Sequence, residues 1–235
     1  MNNTITIIIY SSAAGFPIII GGLIAFSLQN VRFKMKNELN HFIVAFGGGA
    51  LLSAISFVLI PKAVSTLSIL HLILIFGAGT LSFMWLDVIS SKIGGSIAQV
   101  ISMMMDFIPE ALALGASFAY NHNFGLLIAI FIGLQNLPEG YNSYLELNEK
   151  LSRKKTLMIL FCLSFVGIVA ALIGESYLSN NEFLIDSIML FSGGGILYLI
   201  FQDIAPTSKL ANHWLPGTGA SLGYIIGMIG EKILK

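Results

Sequence analysis

Apolar runs about as long as a bilayer core is thick follow one another through the whole of the 235-residue chain, with only short polar turns between them. That feature leaves few folds open. A segment surrounded by lipid must satisfy all its backbone polar groups internally, so it becomes a helix or part of a closed barrel, and runs of about 20 residues are helical in length. Broken at its polar and turn-rich stretches, the chain is expected to hold eight spans, at 5–28, 42–61, 68–90, 98–120, 124–146, 157–178, 184–205 and 216–234. The expected fold is therefore an all-α polytopic membrane protein, a single transmembrane domain over 1–235 with no room for a soluble one. Charged residues make up 10% of the chain against roughly 25% in soluble domains, which points the same way.

Composition excludes several function classes. The single cysteine, Cys162, stands in an apolar run and reads as a packed thiol, so neither a disulfide framework nor a cysteine metal cluster is expected. Net charge is zero, and the only basic tract is the short stretch Lys150 to Lys155, which argues against nucleic-acid binding. The N-terminus has no charged leader, so the first apolar run reads as a retained span.

Basic residues define the expected orientation. Arg32, Lys34, Lys36, Lys92, Lys150, Arg153, Lys154, Lys155 and Lys209 fall in the turns of one side, against Lys62, Lys232 and Lys235 on the other. By the positive-inside rule the first set is cytoplasmic and both termini lie outside.

One phrase occurs twice at a distance. Phe46-Gly47-Gly48-Gly49 runs on to Pro61 in the second span, and Phe191-Ser192-Gly193-Gly194-Gly195 runs on to Pro206 in the seventh. The two spans run in opposite directions. An inverted repeat of helices 1–3 and 6–8 around a central 4/5 pair is the expected topology, a pattern of secondary transporters; taken alone, the glycines could equally serve close helix packing.

Acids inside spans cost at least ~2.5–3.5 kcal/mol each on insertion scales and are functional candidates by default. Asp87, Asp106, Glu110, Glu139 and Asp203 are such residues. Asp106-Phe107-Ile108-Pro109-Glu110-Ala111 and Gln135-Asn136-Leu137-Pro138-Glu139-Gly140 are two versions of one phrase. Asp106 and Glu110 share a helix face at i and i+4, as do Gln135 and Glu139. A short turn between the fourth and fifth spans makes them antiparallel neighbours, so four oxygen donors can converge near mid-membrane. Three carboxylates there repel one another in a poorly hydrating medium, and a bound divalent cation resolves the conflict. Protonated acids bonded between helices, or a proton relay, remain alternatives.

These residues resemble the ZIP (Zrt/Irt-like) family of divalent metal transporters. Its fourth-helix signature, His-Asn-x-Pro-Glu-Gly, is similar to Asp106 to Ala111. Its fifth-helix counterpart, His/Gln-Asn/Asp-x-Pro-Glu-Gly, is similar to Gln135 to Gly140. The resemblance extends to the eight-helix plan with both ends outside, the glycine-rich second helix, Phe76-Gly77 through Leu86-Asp87, and Gln202-Asp203 through Pro206. It implies metal uptake toward the cytosol, commonly by a homodimer, in a cell membrane. Metal is then cargo, with no cofactor and no enzyme activity.

Departures from the family pattern sharpen the expectation. Asp106 stands where a histidine is usual, leaving Asp106, Glu110, Gln135 and Glu139 as an all-oxygen set for zinc, iron or manganese. Of the residues that the resemblance implies for a second, adjacent site, only Asn136 is present; the fourth-helix position is Phe107, and the sixth span places Ile168 where an acid would align. One site is expected. The loop after the third span, about Ser91 to Gln99, is too short for a metal-sensing segment. Asp87, Asp203 and His41, near the cytoplasmic ends, could form a release path. His71, His122 and His213 read as loop or interfacial residues, Met103, Met104 and Met105 as packing, and Trp85 and Trp214 as interfacial anchors. Two other functions stay open: a non-transporting metal sensor or scaffold, and, with less in its favour, a membrane-embedded metal hydrolase.

Overall fold

The structure is a computed structural model that describes residues 3–31, 34–179 and 181–234; Arg32 and Lys235 of the charge tally lie outside them. Eight long helices account for nearly all the described residues: α1 (Asn3–Gln29), α2 (Lys36–Thr66), α3 (Ile69–Ile93), α4 (Gly95–Tyr120), α5 (His122–Lys150), α6 (Arg153–Leu178), α7 (Glu182–Ser208) and α8 (Leu215–Leu234). Most extend past the expected bounds, because Lys, Glu and Gln are good helix formers and an apolar run does not mark where a helix must stop. Six of the eight, all but α5 and α8, are long and apolar enough to cross a membrane by length and composition, where eight spans were expected. α5 falls short because it carries Gln135, Asn136, Glu139 and Asn142 and ends in an acidic tail, and α8 because glycines and the Glu231-Lys232 pair dilute it.

The connections are tighter than the sequence suggested. The α3–α4 turn is little more than Gly94 and Gly95, whose φ angles of 64° and 70° are open to glycine at little cost. The α4–α5 turn is Asn121 alone, whose side-chain oxygen accepts the Phe124 N–H at 3.1 Å and caps α5.

α2 and α7 share a local device. Each contains a π-helical stretch, Ile55–Leu59 and Ile200–Ile204, ending two residues before Pro61 or Pro206. A proline cannot donate to the fourth residue back and its ring crowds that carbonyl; widening the preceding turn relieves the clash.

The helices meet backbone to backbone at reciprocal glycines. Gly21 of α1 faces the Leu137 carbonyl while Gly140 of α5 faces the Ile18 carbonyl; Gly115 of α4 and Gly174 of α6 pair the same way through Ala171 and Leu112. Gly49 and Gly223 join α2 to α8 through Ala220 and Phe46, and Gly79 and Gly194 join α3 to α7 through Phe191 and Phe76. Small residues at such crossings are how helices in lipid gain close packing without a hydrophobic drive between them. α1, α4, α5 and α6 pack on one another as one group, the α2/α8 and α3/α7 pairs form a second, and α2–α5 and α4–α7 contacts join the two. Phe46 and Gly49 stand in α2 where Phe191 and Gly194 stand in α7, at the same interval before the π-helical stretch.

Cys162 corrects an expectation: it is exposed on α6 rather than packed. An all-round apolar helix has no polar face to reveal which side its neighbours cover, and a thiol is small enough to face either packing or lipid. Trp85 and Trp214 are exposed, at 63% and 88%.

Candidate metal site and its outlet

The two proline phrases fall in the middle of α4 and α5, and both helices run on through Pro109 and Pro138. Asp106, Glu110, Gln135 and Asn136 are all buried. Asp106 takes the Phe107 N–H at 2.8 Å. Across the α4–α5 contact the Gln135 amide donates to the Glu110 carboxylate, while the Gln135 carbonyl oxygen has no hydrogen-bond partner among the described residues. A buried acceptor left unpaired costs about 1–3 kcal/mol, so its direction carries information.

A cavity of about 60 Å³ is lined by Asp106, Gln135 and Glu139 together with Gly47 and Gly48 of α2 and Asp203 of α7. A β-carbon on Gly47 would sit 3.1 Å from the Pro138 ring, so the glycine of the repeated phrase keeps this wall thin. The space is large enough for an ion with a few waters. Glu110 does not line the cavity and is joined to it through Gln135. Asn136 does not line the cavity; its amide donates to the Ala14 carbonyl at 2.8 Å, fastening α5 to α1, and its carbonyl oxygen, like that of Gln135, is buried without a hydrogen-bond partner among the described residues. Among the described residues no three His, Cys, Asp or Glu side chains stand close enough together to hold an ion, so the donor set at the cavity mixes carboxylates with the Gln135 amide oxygen.

Phe107, beside Asp106, turns its ring into the α1–α6 crossing. A β-carbon on Gly15 would sit 3.3 Å from that ring, and one on Gly167 would collide with it. The aromatic ring thus fills space beside the site with hydrocarbon rather than with a donor.

A second cavity, of about 350 Å³, shares Ser102 and Asp203 with the first and continues to Asp87, Glu146, Glu149 and Lys150. Asn142 lines the first cavity and donates to Glu146 at 2.6 Å, and Tyr198 donates to Asp87 at 2.9 Å. A polar route therefore leads from Asp106 and Glu139 toward the end of the bundle that carries Lys150. Asp87 and Asp203 lie on it. His41 lies in neither cavity; its Nδ1 is 3.0 Å from the Thr207 carbonyl, joining the start of α2 to the end of α7. Ser102, Asn142, Glu146 and Glu149 are additions that the sequence reading missed. A signal existed: Gln135, Glu139, Asn142, Glu146 and Glu149 recur at alternating steps of four and three, one stripe along α5.

The remaining histidines serve ends and turns. His71 lies 2.7 Å from the Ser68 hydroxyl, the His122 ring meets Phe118, and His213 accepts the Leu215 N–H. Met103 and Met105 are buried in apolar clusters.

These features define an all-helical integral membrane protein with a small cavity between its helices bordered by Asp106, Gln135, Glu139 and Asp203. The chain is also a distant homologue of the zinc transporter GufA of Myxococcus xanthus, a ZIP-family protein, at 30% identity over 147 residues. The match covers 61% of this chain and 58% of that protein. No protein-family model matches the chain.

Proposed function

We propose that this protein carries a divalent transition-metal cation, of the zinc, iron or manganese class, across the bilayer through one site built from Asp106, Glu110, Gln135 and Glu139. The observation that carries the proposal is the continuous polar route from the Asp106–Glu139 cavity past Asn142 and Asp203 to Glu146 and Asp87. A scaffold needs a site but no outlet, and the residues lining the two cavities include no serine, cysteine or histidine partnered by a base as a hydrolase would need. The zinc-transporter homologue supports the same reading at family level.

In this reading α5 and α8 cross the membrane with the other six helices, since they pack lengthwise on α1 and α2. The basic end is cytoplasmic by the positive-inside rule, which puts both termini outside and makes the Asp203–Asp87 cavity the release vestibule. An interior-negative potential of 100 mV would then drive a divalent ion inward by about 4.6 kcal/mol, at ~2.3 per charge. Matched glycine crossings in α2/α8 and α7/α3, and matched π-helical stretches, support the inverted-repeat topology; such halves can present one site alternately to either face. The cell membrane as its location and a homodimer as its assembly are proposed on the resemblance.

Radiometal uptake into proteoliposomes tests the proposal. Accumulation that collapses with an ionophore is expected; binding without accumulation would make the protein a scaffold.

A further inference from the structure

At the end of the bundle away from Lys150, α2 and α7 are joined by an ion pair that the metal site does not use. Asp186, in the first turns of α7, is 1% exposed; its carboxylate accepts the Thr66 hydroxyl at 2.7 Å and lies 3.4 Å from the Lys62 ammonium. The same ammonium stands 5.5 Å from the centre of the Phe124 ring, near the start of α5. Lys62 therefore ties together α2, α7 and the helix that carries Gln135 and Glu139.

Its register is informative. Lys62 follows Pro61 as Thr207 follows Pro206, and counted back from the π-helical stretches, Asp186 in α7 corresponds to His41 in α2. The two ends of the α2–α7 pair are thus fastened by corresponding positions, Lys62 with Asp186 at one end and His41 with the Thr207 carbonyl at the other. One joint is ionic, with its carboxylate buried and its lysine side chain partly exposed; the other is a single exposed contact. Beneath Lys62, Val58 is 2% exposed and occupies the place that Asp203 holds in α7. An open cavity of about 320 Å³ lies at this end, lined by Val58, Pro61, Lys62 and Phe124: where the cavity at the basic end presents the Asp203 carboxylate, this mouth presents an apolar side chain beside an ammonium.

We propose that Lys62 is the latch of the mouth opposite the basic end, resting on the carrier reading above: its ammonium, held by Asp186 and Phe124, closes that mouth and must be displaced for a divalent cation to pass. An ammonium repels an incoming cation and already occupies the carboxylate that would attract one. Shifting the α4–α5 pair against α2 and α7 would separate Phe124 from Lys62 while leaving Asp186 in place to receive the ion.

Thiol labelling decides the matter. Val58→Cys is placed in a Cys162→Ser background, and the purified full chain is treated with a membrane-impermeant methanethiosulfonate. With Lys62 intact the open state is a minor one, of at most about 10%, so labelling is slow; Lys62→Met is expected to speed it by about tenfold, and Lys62→Arg to leave it near the starting rate. Unchanged labelling in Lys62→Met overturns the latch. Because Lys62→Met leaves a buried carboxylate uncompensated, the Lys62→Met/Asp186→Asn pair is measured as well. It removes both charges, and fast labelling in it supports the latch while slow labelling refutes it. Radiozinc flux in the unaltered chain reads the carrier proposal separately. Flux with unchanged labelling removes the latch alone, and absent flux with faster labelling removes the carrier alone.

Discussion

Gln135 gives its side-chain amide to the Glu110 carboxylate across the α4–α5 contact, which leaves its carbonyl oxygen, buried and without a partner among the described residues, on the side chain that lines the Asp106–Glu139 cavity. One residue thereby orients an acid on the neighbouring helix and supplies a donor of its own. Glu110→Ala and Glu139→Ala are each expected to abolish metal uptake with expression and insertion intact, since each removes an anionic donor from a set of about four. Gln135→Ala should weaken metal affinity by about 10–100-fold, as loss of an orienting partner does. Uptake assays beside size-exclusion profiles check all three, and normal flux in either glutamate variant would remove the site assignment.

Orientation is checked at Ser152, in the most basic connection of the chain. A cysteine placed there in a Cys162→Ser background should resist impermeant thiol reagents in sealed right-side-out cells and react once the membrane is opened. Labelling of intact cells would invert the topology.

One metal ion per protomer is expected, because the Phe107 ring rather than a donor occupies the α1–α6 crossing and α6 carries no acid from Leu157 to Gly174. Anomalous diffraction from crystals soaked in zinc should give a single peak between α4 and α5. Two peaks about 4 Å apart, the separation of bridged pairs, would contradict it.

Glycine crossings predict a contrast in stability. Gly140→Ala drives a methyl group onto the Ile18 carbonyl and should destabilise the fold by about 1–3 kcal/mol. Gly77→Ala meets nothing within 4 Å and should be neutral or stabilising by up to about 1 kcal/mol, the gain in helix propensity. Thermal unfolding in detergent separates them; equal midpoints would mean that α1 and α5 do not cross where the glycines place them.

Metal preference rests on Asp106. Imidazole suits zinc, whereas carboxylate and carbonyl oxygen suit manganese, although raw affinity still favours zinc. Asp106→His should therefore raise zinc affinity relative to manganese. Manganese competition against radiozinc at fixed pH measures the ratio; no change, or a move toward manganese, would show that Asp106 is not a donor.

The sequence by itself determined the helical class of the fold and singled out the candidate donors. Apolar length dictates helices in lipid, and the doubled proline phrase puts Asp106, Glu110, Gln135 and Glu139 on two helix faces, because helical periodicity is a local property of the chain. What it left open depended on which face each helix turns inward. Cys162 came out exposed, Asn136 bonded to α1, and His41 bonded to α7 without lining either cavity. Asn142 and Glu146 line the two cavities although nothing but their step along α5 marked them. In a chain this apolar, hydropathy scarcely separates lipid from core, so helix rotation is set by the glycine crossings, and a crossing needs both partners in place before it exists. The Lys62–Asp186 pair is of the same kind: two charges over a hundred residues apart, brought together only because α2 and α7 cross.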